Sequence, residues 1–262
     1  MPKSTKRRTK KIVVANWKMN PATLEEAKVI FTRTKRAAGM LARVKVVVCP
    51  PAPLISFFVK SAKSEKGGGL LMGAQNCAAQ DSGSFTGETS SLLLKNIGAQ
   101  YVIIGHSERR AMGETDTMIA EKVAAALRNG LIPILCIGEQ SHDDEGKYLS
   151  FLKAQLFASL QGVSKADLEK VIIAYEPIWA IGAKEPMKAH DIHGMTIFIK
   201  KTLAELLGRR EPPMIPILYG GSVTFENAGE IVKEGMVDGL LVGRDGLKNE
   251  FPRLLQSVND IA

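Results

Sequence analysis

Three residues of this sequence have side-chain types suited to proton transfer, and each follows a short apolar run. Glu176 comes directly after VIIAY, Lys18 lies just past IVVAN, and His106 follows YVIIG. A buried, unpaired carboxylate costs several kcal/mol, so Glu176 is expected at a site that uses it. A carboxylate base, a cation for a developing oxyanion and an imidazole that polarises an oxygen together suit proton abstraction beside a carbonyl.

Two glycine-rich turns form a second kind of candidate site. Residues 220–222 read GGS after the run PILY, and Gly243 ends the run VDGLLVG. Such turns expose backbone N–H groups, and a helix start beyond the second adds a positive dipole, which together favour phosphate. GGS alone is also an ordinary turn, but phosphate sites recur after strands seven and eight of closed parallel barrels.

Predicted strands and helices, which must position these residues, alternate regularly along the chain. Continuous apolar runs between amphipathic stretches predict parallel strands covered on both faces. Eight strand candidates and about eight helices favour an α/β protein with a single (β/α)8 barrel over a doubly wound open sheet. The carboxyl ends of barrel strands meet at one face, where the candidate residues would converge. The strand candidates are 12–16, 44–49, 70–75, 101–105, 131–138, 171–175, 216–220 and 237–243, and amphipathic stretches include 24–38, 117–130 and 225–235.

The positive charge of the chain is concentrated at its beginning. The 262 residues carry a formal net charge of +8, from 35 basic and 27 acidic residues. Residues 1–11 hold six of the basic residues and no acid, which leaves 29 basic residues against the 27 acidic ones. We therefore predict a basic, disordered tail at 1–11 and one catalytic domain at 12–262. A solvated arm is favoured over a nucleic-acid arm.

Several other classes of protein do not fit the sequence. The tail lacks a following apolar region long enough for a secretory signal, and no stretch approaches the roughly 20 apolar residues of a membrane span. The three cysteines form no CxxC pair, which suits a reduced, cytoplasmic protein. HExxH and Walker A motifs are absent, and His190 and His193 have no clear third ligand, so no metal site is predicted.

Two further polar residues have alternative interpretations. Glu139 follows CIG and could join the site, but an acid at a helix N-terminus is the favoured interpretation. His142, within SHDDEG, is predicted to be a solvated loop histidine.

Six motifs resemble those of the triosephosphate isomerase family, in the same order and at barrel spacing. The resemblance extends from about residue 12 to the end of the chain, and several such motifs together are highly specific. The motifs are ANWKMN (15–20), QNCAAQDSGSFTGETS (75–90), IIGHSERR (103–110), CIGE (136–139), AYEPIWAIG (174–182) and YGGSV (219–223).

The resemblance implies interconversion of dihydroxyacetone phosphate and glyceraldehyde 3-phosphate through an enediolate, in glycolysis and gluconeogenesis. Glu176 would move the proton and His106, kept neutral by a helix N-terminus, would be the electrophile; this family is itself the general example of that pairing. Lys18 would be the electrostatic partner and Asn16 a polar contact. Glu108 would order the neighbourhood of Lys18 and His106.

The resemblance also implies a closing loop at 177–184. Backbone N–H groups near Gly182, Ser222 and Gly243 would hold the phosphate, and Tyr219 and Ser222 would hold the loop shut. Closure would keep water from an enediolate phosphate that otherwise eliminates its phosphate. No metal or organic cofactor is implied.

The segment 75–90 resembles the loop through which the family forms dimers. Thr86 would reach toward the site of the partner subunit, and Glu88 would pair with Arg109. The resemblance therefore implies a homodimer.

Two departures from the family bear on the phosphate half of the site. After Gly182 the family usually has Thr-Gly-Lys, whereas here residues 183–186 read AKEP. Arg244 follows Gly243 where a glycine is usual. We predict that the backbone N–H of Arg244 meets the phosphate and that its guanidinium adds a charge-assisted contact.

Two alternatives remain at this point. Another phosphate-binding barrel isomerase, acting on a larger sugar phosphate, would need the same glycine turns but not NWK, GHSE and EPIW together. A weakly catalytic barrel that binds RNA through residues 1–11 belongs to a different class. A mobility-shift assay with and without those residues would separate it.

Overall fold

The strands of the barrel are short, parallel and joined in sequence order into a closed sheet. The computed structural model describes residues 10–62, 69–143, 145–182 and 186–262. The α/β class and the single (β/α)8 architecture predicted from the sequence are confirmed. The strands are β1 (Lys11–Asn16), β2 (Val44–Cys49), β3 (Leu71–Ala74), β4 (Tyr101–Ile104), β5 (Ile132–Ile137), β6 (Ile172–Tyr175), β7 (Ile217–Tyr219) and β8 (Gly239–Val242).

Strand β1 closes the barrel because it pairs with both β2 and β8. Ala15 is aligned with Val48 on one side and with Val242 on the other. The strand begins at Lys11, within the predicted tail, and the Lys11 ammonium donates to the Val237 carbonyl at 2.8 Å. Residues 1–9 of the predicted tail lie outside the described residues.

The helices between the strands follow the amphipathic stretches of the sequence. Thr23 and Thr115 cap two of them, each accepting a backbone N–H with its side chain. The described residues hold ten α-helices rather than about eight, because β4 and β5 are each followed by two α-helices instead of one. The helices are α1 (Leu24–Ala38), α2 (Ala52–Ala62), α3 (Ser91–Asn96), α4 (Ser107–Ala111), α5 (Asp116–Arg128), α6 (Lys147–Ser159), α7 (Lys165–Leu168), α8 (Ala189–Leu207), α9 (Ala228–Glu234) and α10 (Phe251–Ile261).

Two apolar clusters explain why the strands are apolar on both faces. One cluster fills the barrel, and the other packs the outside of the strands against the helices. At the end of β1, the fully buried Trp17 meets Phe58 edge-on at 6.2 Å between ring centroids. Phe58 in turn stacks on Phe31 of α1 at 4.3 Å. This aromatic contact fixes the backbone immediately before Lys18.

The cysteines belong to these clusters. Cys49, Cys77 and Cys136 are free and buried. Burial raises the pKa of the Cys77 thiol to about 12, so it stays protonated and unreactive near neutral pH.

No helix in the described part of the chain is long and apolar enough to cross a bilayer.

Candidate active site

Lys18 occupies a strained backbone position just past β1. Its φ is 52°, in the left-handed region that costs a non-glycine residue about 1–3 kcal/mol. The Lys18 N–H donates to Asn16 Oδ1 at 3.0 Å, and its carbonyl accepts from Gln75 Nε2 at 2.8 Å. Gln75 also donates to the Cys49 carbonyl. Two side chains, one at the end of β1 and one just past β3, therefore hold Lys18 in a conformation that it would not adopt alone.

His106 lies at the junction between β4 and α4, with its ring 8% exposed. It is the N-cap residue of α4, and the backbone N–H of Glu108 donates to its Nδ1 at 3.2 Å. A nitrogen that accepts a hydrogen bond carries no proton, so this hydrogen-bond network assigns the ring proton to Nε2. The ring is thereby neutral, with a donor directed away from the helix.

Glu176 is buried at the end of β6 and is compensated by nearby donors. Its Oε1 lies 3.3 Å from His106 Nε2, and its Oε2 accepts the Ser107 backbone N–H at 3.4 Å. A Cβ on Gly220 would come within 2.8 Å of Glu176 Cγ, and one on Gly138 would overlap the Glu176 carbonyl oxygen. Glycine at the ends of β5 and β7 is therefore required by the close approach of Glu176.

Lys18 and Glu108 form an ion pair beside His106. Their Nζ and Oε1 atoms are 2.7 Å apart, with the side chains 32% and 52% exposed. Partial burial raises the pKa of Glu108, but the hydrogen bond and charge of Lys18 outweigh it and hold that pKa below its ordinary value. Glu108 Oε2 also lies 3.8 Å from His106 Nδ1. The carboxylate thus stands between the cation and the imidazole.

One pocket of about 410 Å³ contains Lys18, His106 and Glu176 together with both glycine turns. It opens at the carboxyl ends of the strands, as the barrel prediction requires. Among the residues predicted for the site, Glu108 is the one that borders a neighbouring pocket instead. The predicted residues that line this pocket are Asn16, Lys18, His106, Glu176, Gly182, Ser222, Gly243 and Arg244.

Lys248 lines the same pocket, although nothing in the sequence pattern predicted it. Its ammonium pairs with Asp245 at 2.9 Å, on the segment that follows β8. Leu241 and Ile181 line the pocket as apolar walls and were also missed. A lysine on a loop carries no distinctive pattern, so only its place beside Arg244 could have indicated a role.

The first part of the predicted closing loop is attached to the barrel by a serine. Ser222 Oγ accepts the Gly182 N–H at 3.0 Å and donates to the Ala180 carbonyl at 2.8 Å. The Gly182 N–H, predicted to hold phosphate, is directed at this hydroxyl here. Residues 183–185 of the loop lie outside the described residues. Tyr219 is buried, and its hydroxyl has no hydrogen-bond partner within the described ranges.

The interpretation of Glu139 as an acid at a helix N-terminus is wrong. This residue does not begin a helix, because the next helix, α6, starts at Lys147. Instead it is buried after β5 and accepts from Trp179 Nε1 at 2.8 Å and from the Tyr175 hydroxyl at 2.9 Å. Glu139 is therefore a contact of the closing loop, joining β5 and β6 to the loop tryptophan.

His142 is exposed, as predicted, but it also has aromatic neighbours. Its ring centroid lies 3.7 Å from that of Tyr148 and 5.5 Å from that of Trp179. His190, considered as a metal ligand, lies 3.0 Å from Asp191. The described residues hold no group of three side chains arranged to bind a metal ion.

The segment 75–90 borders a second pocket of about 420 Å³, next to Lys18. Within the described chain, Arg109 pairs with Glu114, which also pairs with Lys122, rather than with Glu88. Thr86 is exposed on the loop.

Comparisons with known proteins agree with this geometry. Residues 11–258 match the model of the family described as triosephosphate isomerase. A triosephosphate isomerase of Thermoanaerobacter sp. (strain X514) is 41% identical over 250 residues, which cover 93% of this chain and 98% of the relative. One from Moorella thermoacetica is 42% identical over 234 residues, covering 88% of this chain and 92% of the relative.

Proposed function

The chain belongs to the triosephosphate isomerase family, and from that premise we propose how its pocket interconverts dihydroxyacetone phosphate and D-glyceraldehyde 3-phosphate. The reaction moves one proton between neighbouring carbons through an enediolate and is an aldose–ketose isomerisation. It requires a base that removes the proton from carbon, a hydrogen-bond donor at the substrate oxygens and groups that bind the phosphate.

Glu176 is the base, and His106 is the electrophile. The observation that carries this proposal is the 3.3 Å distance between Glu176 Oε1 and His106 Nε2 inside one pocket. The carboxylate takes the proton from one carbon and returns it to the next. The Nε2–H of the neutral imidazole donates to the substrate oxygens, where negative charge develops in the enediolate.

Lys18 supplies the positive charge of the site, and two residues keep it in place. Asn16 Oδ1 accepts the Lys18 backbone N–H, and Glu108 binds the ammonium. We assign to Lys18 the stabilisation of both the oxyanion and the phosphate, and to Asn16 a polar contact with substrate. Glu108 acts through Lys18 and His106 as a positioning residue.

The phosphate lies against the turns after β7 and β8 in this proposal. Backbone N–H groups of Ser222, Gly243 and Arg244 hold its oxygens, and the Arg244 guanidinium adds charge. In this proposal the Gly182 N–H turns from Ser222 to the phosphate, while the Ser222 hydroxyl keeps its hydrogen bond to the Ala180 carbonyl and so continues to hold the loop. No metal or organic cofactor takes part in the reaction as proposed.

A homodimer through residues 75–90 is part of the proposal. Met19 and Met112 line the pocket beside this loop with 92% and 78% of their surface exposed. Large exposed apolar side chains at the rim of a pocket are typical of a protein interface. Sedimentation of the full chain tests this, since a monomer at micromolar concentration contradicts it.

The cytoplasm is the proposed location, and the basic tail is proposed to be a solvated arm. Three free, buried cysteines suit a reducing compartment. Removing residues 1–9 should leave turnover and sedimentation unchanged, because these residues carry charge but few apolar groups. A tenfold loss of activity would show that the tail has a structural role.

A coupled assay with purified chain and D-glyceraldehyde 3-phosphate tests the function directly. We expect rapid formation of dihydroxyacetone phosphate that disappears in Glu176→Gln. A phosphorylated pentose serves as the control substrate, and preferential turnover of that sugar would favour the alternative barrel isomerase instead.

A further inference from the structure

A side chain on the outer helix α1 contacts the segment that carries the last phosphate-binding turn. The Arg33 guanidinium donates to the carbonyls of Leu247 and Lys248 at 2.7 and 2.9 Å, and also to Asn249 Oδ1. These are three consecutive residues, the first of which is the last residue of the 3-10 helix Arg244–Leu247. Arg33 itself does not line the substrate pocket.

The contacted segment is the wall of the pocket where the phosphate is proposed to bind. Gly243, Arg244 and Lys248 line that pocket. The segment is folded on itself, because the Gly246 N–H donates to the Gly243 carbonyl at 2.9 Å. The Lys248 N–H also donates to the Asp245 carbonyl at 3.2 Å, so a shift near residue 248 would be transmitted to the N–H groups that follow Gly243.

The same segment is fixed from the inside by β1. A Cβ on Gly246 would come within 3.1 Å of the Ala15 side chain, so the segment lies directly against the strand. Arg33 closes the opposite side. The phosphate turn is thus held between the strand that precedes Lys18 and the helix that follows it.

Arginine is the side chain that can make this set of contacts. Its planar guanidinium presents several donors in a fixed arrangement, so it binds neighbouring carbonyls and an amide oxygen together. A lysine ammonium has the same charge but no rigid planar fork. If the contacts set geometry rather than charge, lysine cannot replace arginine.

We propose that Arg33 is a positioning residue for the phosphate half of the active site. It orients the 243–249 segment so that the N–H groups after β8 converge on one anion. The inference rests on the proposed phosphate position. Since Arg33 touches neither the substrate nor Glu176 or His106, its loss should weaken binding of the phosphate and leave the proton transfer nearly intact.

The experiment compares Arg33→Lys and Arg33→Met with Arg36→Lys and Arg36→Met. Arg36 is exposed on the same helix and serves as the matched control. Calorimetry with inorganic phosphate measures binding without turnover, and the coupled assay measures KM and kcat separately. A failure of the proposed function appears in the wild-type assay, whereas a failure of this inference appears in the calorimetry of the variants.

We expect both Arg33 variants to bind phosphate about tenfold more weakly and to raise KM by a similar factor, with kcat changed less than twofold. Both Arg36 variants should match wild type. Unchanged phosphate affinity in Arg33→Lys, or an equal fall in kcat, would overturn the proposal. If the Arg33 variants lowered only the unfolding temperature, and did not raise KM more than they changed kcat, the role of Arg33 would be structural and the proposal would be overturned.

Asn249→Ala provides a second test if Arg33→Met does not fold. It removes one of the three acceptors and leaves the arginine in place. We expect a smaller loss of phosphate affinity that does not add to the loss in Arg33→Lys, because both changes break the same contact. Full additivity of the two losses would contradict the proposal.

Discussion

His106 Nε2 and Glu176 Oε1 lie 3.3 Å apart, although β4 and β6 are not neighbours in the sheet. β5, the strand between them, is followed by Gly138, where a Cβ would overlap the Glu176 carbonyl oxygen. Hydrogen bonding from Glu108 to Nδ1 leaves the proton of the imidazole on the nitrogen that faces Glu176. The base and the donor are thus brought together before any substrate binds.

Glu176→Gln should reduce kcat by about 10²- to 10⁴-fold, because the amide cannot take a proton. Circular dichroism should show the barrel intact, since glutamine keeps the size of the side chain. Glu211→Gln, on the exposed surface, is the control and should retain full activity. A Glu176→Gln variant with more than half the wild-type turnover would remove Glu176 from the role of base.

His106→Gln should lower kcat far more than it raises KM. The imidazole donor matters most when negative charge develops on the substrate oxygens, and that charge is absent in the ground state. Steady-state kinetics in the coupled assay give both constants. A change confined to KM would mean that His106 binds substrate without stabilising the transition state.

Ser222→Ala should loosen the closing loop and reduce its protection of the enediolate. The serine hydroxyl bonds two backbone groups of the loop, Gly182 and Ala180. We expect kcat to fall about tenfold and methylglyoxal, the product of phosphate elimination, to increase relative to isomerised product. Ser141→Ala, in an exposed loop, is the control. An unchanged product ratio would indicate that this contact does not control closure.

Arg244→Gly should weaken inhibition by inorganic phosphate and raise KM together. The exposed guanidinium at the pocket rim adds a charge-assisted contact, so the effect should be several-fold and larger at low salt. Arg210→Gly makes the same charge change at another exposed position and controls for net charge. Equal phosphate inhibition in wild type and Arg244→Gly would place this side chain in solvent.

Glu114→Gln should destabilise the protein near neutral pH but much less in acid. Burial raises the pKa of Glu114, but hydrogen bonds from Lys122 and Arg109 outweigh it, so the folded-state pKa is below the ordinary 4.5. A lowered folded pKa stabilises the fold above pH 4.5, and this contribution disappears as pH falls through the folded value.

Thermal unfolding of wild type and Glu114→Gln as a function of pH tests whether the stabilisation by Glu114 is lost in acid. The difference in Tm should be large at pH 7, because the change leaves the buried Lys122 without its carboxylate, and should narrow below about pH 4.5. Glu121→Gln, an exposed position on α5 next to Lys122, should show no such difference. A difference in Tm that stayed constant at all pH values would contradict the lowered pKa of Glu114.

The barrel was predictable because its signal is local. Strands buried on both faces, such as β2 and β5, must be apolar at nearly every position, and this pattern is visible without knowing their partners. Strand ends followed by polar residues then place Lys18, His106 and Glu176 at one face by the geometry of a closed parallel sheet alone. The family motifs added the expected chemical roles.

The interpretation of Glu139 failed because its surroundings come from elsewhere in the chain. An acid after an apolar run looks the same in sequence whether a helix follows or a distant tryptophan binds it. Only the folded barrel brings Trp179 and Tyr175 to this carboxylate. The predicted partner of Arg109 was Glu88, whereas in the described structure it is Glu114, and again only the fold decides which acidic residue lies beside the arginine.

The sequence by itself determined the alternating elements, the apolar interior and the residue types at the strand ends, because burial and backbone hydrogen bonding act on neighbouring residues. The tertiary structure decided which polar groups meet: Lys18 with Glu108, Arg33 with the segment after β8, and Ser222 with the closing loop. These contacts depend on barrel closure and on side-chain rotamers across elements far apart in the chain. The pattern of residues within a single segment encodes neither the closure of the barrel nor these rotamers.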